Sequence, residues 1–168
     1  MTHQNIVTRD EWLSARLELL EKEKAHTRMK DEITSARQAL PWVKLEKDYE
    51  FETDDGKQSL GDLFKGRSQL IVYHFMFGPE WKAGCVSCSF WADTFNGLAP
   101  HLAERDTAFV AISSAPLTMI TPFKKRMGWG FNWASSNANT FNPDFVAAIY
   151  YSLKIIAAKP GVNCSHFS

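Results

Sequence analysis

The sequence is short of cysteine, of net charge and of long apolar runs, and each shortage removes a class of function. Three cysteines in 168 residues are too few for the disulfide scaffold of a small secreted domain. Lys+Arg and Asp+Glu stand at 19 each, so no global field draws the chain to nucleic acid or to an acidic membrane. No stretch reaches the roughly 18 uninterrupted apolar residues of a membrane helix. The nearest, Phe145 to Ala158, is shorter and is broken by Ser152 and Lys154. Met1-Thr2-His3-Gln4-Asn5 has neither a basic stretch nor an apolar run, so no signal peptide and a cytoplasmic location are expected. No internal repeat and no low-complexity segment is visible.

What is present is an ordinary globular composition, 45% apolar and 23% charged, in a chain long enough to bury a core. Residues 8–40 read as one long helix or two in tandem. Thr8 and Glu11 have capping-box spacing. Leu13, Leu17 and Leu20, then Met29, Ile33, Ala36 and Leu40, make a narrow apolar stripe at three- and four-residue steps. Glu18 stands four residues ahead of Lys22, the favourable order for a helical ion pair. Pro41 stops the pattern, because the residue before proline avoids the helical region. Such an arm is expected to pack on the domain or on a second copy, which makes a homodimer the partner expectation.

Beyond Pro41 the period becomes two. Trp42-Val43-Lys44-Leu45 and Tyr49-Glu50-Phe51-Glu52 alternate as strands do, and Asp54-Asp55-Gly56 signals a hairpin. Ser59 caps a short helix over Leu60–Phe64. Gln69 to Phe77 is almost wholly apolar, which predicts a strand buried on both faces. Gly78-Pro79 breaks it. Cys85 to Ala103 then reads as helix, Phe109–Ile112 as strand, Pro116 to Met127 as helix closed by Gly128, and Phe131–Ala134 as strand. This order predicts an α/β protein with a mixed sheet and helices on its faces.

The chemistry concentrates in Cys85-Val86-Ser87-Cys88, placed where a buried strand has ended and a helix begins. Unpaired backbone N–H groups at a helix start favour a thiolate. Cysteines three apart can close an intramolecular disulfide, with Cys85 as the exposed nucleophile and Cys88 as the resolver. Other readings stand beside this one. The pair could be two ordinary buried cysteines, or half of a zinc site completed by Cys164 and His166. His74 is either a core histidine or a proton carrier for the dithiol. Trp81, Phe90 and Trp91 are expected to shield the sulfurs and shape an apolar contact surface, Lys82 to favour the Cys85 thiolate weakly, and Asp93 to lie on the helix surface.

Longer motifs carry a resemblance: Arg37 to Val43, Ser59 to Phe64, Tyr73 to Trp81, Gly84 to Asp93 and Phe123 to Trp129. The chain resembles, from about Val7 to Phe145, the bacterial thioredoxin-like proteins catalogued as domain of unknown function 899, described as dithiol–disulfide isomerase-like. The resemblance implies a thioredoxin-like mixed sheet flanked by helices over 41–145, with a helical arm over 1–40, and puts the family's cysteine pair on Cys85 and Cys88. It implies thiol–disulfide exchange on a protein or small-molecule disulfide, with no cofactor and no metal. Two departures matter. Val86-Ser87 lies between the sulfurs in place of the Gly-Pro of thioredoxin, and Lys82 stands where peroxiredoxins place Thr or Ser, which disfavours a peroxidase. Residues 146–168 do not resemble the family's closing strands and are expected to be an atypical tail left by a frameshift or truncation, with Pro160 a poor substitute for the proline that faces the dithiol in thioredoxin-like folds. A non-enzymatic partner-binding module is the alternative function.

Overall fold

The computed structural model describes residues 5–41, 43–145, 153–159 and 162–165; Trp42, Pro160 and His166 lie outside them. The chain divides into two compact units, 1–41 and 42–168. The first is one helix, α1 (Arg9–Gln38), started by the expected capping box: the Thr8 side chain accepts from Glu11 N, and the Glu11 carboxylate accepts from Thr8 N at 2.9 Å. No residue of α1 is buried. Its charges pair as Arg16–Glu23 and Lys24–Glu21, rather than as Glu18–Lys22.

In the second unit β1 (Val43–Lys44) is followed by a hairpin of β2 (Glu50–Thr53) and β3 (Gly56–Ser59). Gly56 occupies the turn at φ +97°, where a side chain would be strained. Helix α2 (Leu60–Leu63) carries a second capping box, Ser59 with Asp62. Strand β4 (Gln69–His74) leads through a loop to α3 (Val86–Ala92). The expected helix to Ala103 is interrupted at Asp93–Gly97 and resumes as α4 (Leu98–Ala103). The interruption is held from outside: Asn96 donates to Gly128 O at 2.9 Å and accepts from Gly130 N at 2.7 Å. Pro100 falls in the first turn of α4, where a missing N–H is harmless. Strand β5 (Thr107–Ser113), helix α5 (Leu117–Met127), strand β6 (Trp133–Ser135) and the short helix α6 (Phe141–Asp144) follow. Helix α5 runs through Pro122 and ends at Gly128, φ +70°. Strand β6 begins two residues later than the expected Phe131.

Residues 153–159 and 162–165 are strands β7 and β8. Thus the segment expected to be an atypical tail contributes two strands to the sheet. Strand β7 lies antiparallel beside β4, from Gln69↔Ala157 to Tyr73↔Leu153. The described strands run in the order β1-β8-β7-β4-β5-β6-β2-β3. The three central pairs differ in sense: β4–β5 and β5–β6 are parallel, and β4–β7 is antiparallel.

Alternation along β4 and β5 sends Leu70, Val72, Val110 and Ile112 to one face, with Phe51, Phe141 and Phe145. Tyr73, Phe75, Phe109 and Ala111 go to the other, with Cys88, Phe95, Phe123 and Trp133. The dithiol helix therefore rests on the second, strongly aromatic face.

Candidate active site

The loop leaving β4 is fixed before it reaches the cysteines. Phe75 N donates to Ile112 O at 2.9 Å and Ala115 N donates to Phe77 O at 2.8 Å. The buried Ser113 hydroxyl donates to Phe75 O at 2.8 Å and accepts from Trp133 Nε1 at 3.0 Å. Each bond satisfies a backbone or indole group that burial would otherwise penalise. A turn at Gly78–Trp81 reverses the chain, and Gly84 then passes close over Phe75 and Phe123, leaving no room for a side chain.

Cys85 is the N-cap of α3, half-buried, and its N–H donates to Met76 O at 2.9 Å. Cys88, one turn on, is 0% exposed. Both cysteines are thiols, with no disulfide between them. Burial pushes the Cys88 thiol up to about 11, with a smaller contribution in the same direction from the neighbouring Cys85 sulfur. Opposing this, the Met76 backbone and the Tyr73 phenol lie within hydrogen-bonding reach of the Cys88 sulfur and favour its anion. Tyr73 also donates to Cys88 O at 3.1 Å. The peptide of Met76 thus touches both cysteines. The arrangement is a half-buried cysteine one turn before a fully buried one, the asymmetry that an attacking and a resolving thiol require.

The family model for "Bacterial protein of unknown function (DUF899)" matches residues 1–157. The chain belongs to this family. The match extends beyond Phe145 and takes in most of β7. No curated protein matches the sequence. Solved structures share the fold at low identity. A mutant of PrxQ from Xylella fastidiosa aligns with a TM-score of 0.54 and 13% identity, over 73% of this chain and 80% of that one. The peroxidoxin BcpB of Mycobacterium tuberculosis aligns at 0.51 and 20%, over 76% and 86%. The bacterioferritin comigratory protein of Xanthomonas campestris gives 0.50 and 12%, over 69% and 76%. The fold of this family member is thioredoxin-like.

Several residues expected at the site stand elsewhere. His74 is buried on the face of β4 opposite Cys88, stacked on Phe141 with its Nδ1 3.2 Å from Asn142 Oδ1. It lines an open cleft of about 310 Å³ with Met76, Trp81, Ser114 and Asn142. Phe90 and Trp91 are exposed, in edge-to-face contact with each other, and do not cover the sulfurs; Cys88 is covered by the aromatic face of the sheet. Lys82 is exposed on the loop. Asp93 is on the helix surface as expected, where it accepts from Trp129 Nε1 at 2.8 Å.

The zinc reading meets a register. Cys164 lies opposite Ala157, and Ala157 opposite Gln69, which puts Cys164 at the end of the sheet away from the dithiol. Among the described residues no three His, Cys, Asp or Glu side chains could hold a metal ion together. No helix among them is long and apolar enough to cross a membrane.

Tyr73 and Met76 are the neighbours of the dithiol that motif reading missed. A signal for Tyr73 was available: it is one residue out of phase with Val72 and His74, so it faces the opposite side of the sheet.

Proposed function

We propose that the protein is a thiol–disulfide oxidoreductase working through Cys85 and Cys88, on protein or small-molecule disulfides in the cytoplasm. The observation that carries this reading is the unequal exposure of two thiols one helical turn apart, half-buried Cys85 and fully buried Cys88. The Cys85 thiolate attacks one sulfur of a substrate disulfide; that S–S bond breaks and one substrate thiolate leaves. Cys88 then attacks Cys85, releases the second substrate thiolate and closes the Cys85–Cys88 disulfide. Two protein thiols are oxidised and one substrate disulfide is reduced. An external dithiol regenerates the protein.

The test is a pair of variants in a disulfide-reduction assay. Cys85→Ser removes activity to background. Cys88→Ser still reacts once but accumulates a mixed disulfide, seen as a mass increase of one substrate thiol. Full activity in Cys85→Ser, or no mixed disulfide in Cys88→Ser, would falsify the assignment.

A second reading, a partner-binding module that self-associates through its arm, is favoured by α1. Trp12, Leu13, Leu17, Met29 and Ile33 are all exposed there. Deleting the arm separates the two readings, as argued below.

A further inference from the structure

Resolution asks a thiol with no exposed surface to become an anion in an apolar enclosure, which is costly unless a donor meets the charge. The titratable groups facing the Cys88 sulfur are Cys85, from the start of α3, and Tyr73, from β4. The buried side chains of its cluster, among them Phe75, Ala92 and Phe95, are apolar. The charged residues of the loop and of α3's end, Glu80, Lys82 and Asp93, are exposed.

Tyr73 is itself buried, 4% exposed, and its ring is held edge-on by Phe95 at 5.0 Å and Phe75 at 6.2 Å. The phenol is therefore aimed, not wandering. It has one proton to donate. That proton is placed on Cys88 O at 3.1 Å, and the sulfur of the same residue is within its hydrogen-bonding reach.

We propose that Tyr73 is a catalytic residue of the resolving step, its O–H turning from the Cys88 carbonyl to the Cys88 sulfur as that sulfur becomes the attacking anion. The Cys88 proton leaves to water, Tyr73 keeps its own, and no further reactant is needed. The carbonyl left behind retains a second lone pair for its helical bond, so little is lost in the exchange. This rests on the dithiol reading above and adds a residue to it.

The experiment uses the chromogenic disulfide dithiobis(nitrobenzoate) with the full-length reduced protein under stopped flow. Attack by Cys85 releases one thionitrobenzoate; attack by Cys88 on the resulting mixed disulfide releases the second. The two steps are read separately in one trace. In Tyr73→Phe the first release is unchanged. The second slows about tenfold near neutral pH, and its pH profile moves to higher pH, as loss of a charge-assisted hydrogen bond requires. A purely structural role for Tyr73 would not move the profile. Replacing Tyr73 with 3-fluorotyrosine, whose phenol is a stronger donor, moves the profile the other way, and it decides the matter if Tyr73→Phe fails to fold. Two releases in the wild type with an unshifted second step in both variants would overturn the role of Tyr73. No second release in the wild type would overturn the dithiol reading instead.

Discussion

At Gly84 a single hydrogen atom decides whether the dithiol loop can close. A Cβ there would sit 2.5 Å and 2.9 Å from the Phe75 ring and 3.0 Å from Phe123, well inside van der Waals contact. Phe75 cannot turn aside, because it packs against Trp133 at 4.6 Å and Trp129 at 5.8 Å. Gly84→Ala is therefore expected to destabilise the protein by about 1–3 kcal/mol, the usual cost of overpacking, measurable as a lower urea midpoint with an unchanged slope. A midpoint within error of the wild type would mean that the loop is looser than this. The cysteines were legible at this scale because their spacing and place before a helix are local facts. The need for glycine at position 84 was not, since Phe123 comes from a helix 39 positions later in the numbering.

Among the elements, α6 is tied back to the start of β2 by one carboxylate. Asp144 accepts from Lys47 Nζ at 2.7 Å, Tyr49 Oη at 2.9 Å and Thr140 Oγ1 at 2.6 Å. The Lys47 and hydroxyl bonds hold Asp144 down at about 2, while burial and then the neighbouring Asp144 push Tyr49 up to about 12. The signs follow from linkage. Asp144 contributes stability above its ordinary 3.8, and this is lost as the pH falls toward about 2. Tyr49 contributes below its ordinary 10, and this is lost as the pH rises toward about 12, because the unfolded phenol ionises first. Urea midpoints followed across pH are expected to fall in both windows. Asp144→Asn reduces the acid loss, the rest of which comes from Asp62, Asp106 and Glu11, also held below their ordinary values, and Tyr49→Phe reduces the alkaline one. An Asn variant with the full acid loss would show that the tether is not coupled to folding. The capping boxes at Thr8 and Ser59 could be read from sequence, since each is closed within four residues. Helix α6 could not: four residues containing Pro143 carry no period, and its anchor is the distant Lys47–Tyr49 segment.

For the whole molecule the division between 1–41 and 42–168 gives the arm its own prediction. Because no residue of α1 is buried, deletion of residues 8–40 is expected to leave thiol–disulfide exchange intact. The mass measured by light scattering should fall from dimer to monomer. An undeleted protein that is already monomeric would exclude self-association through the arm, and loss of exchange on deletion would make the arm part of the redox site. The sequence by itself determined the mixed α/β class, the arm, the strand–loop–helix setting of Cys85 and Cys88, and the family, because each rests on residues near one another in the chain. Only the tertiary structure decided that 153–159 joins β4, that Cys164 stands at the far end of the sheet, that His74 faces away from the sulfurs and that Tyr73 faces them. Strand register and the two faces of a sheet bring together residues from distant parts of the chain, and no local pattern records which ones meet.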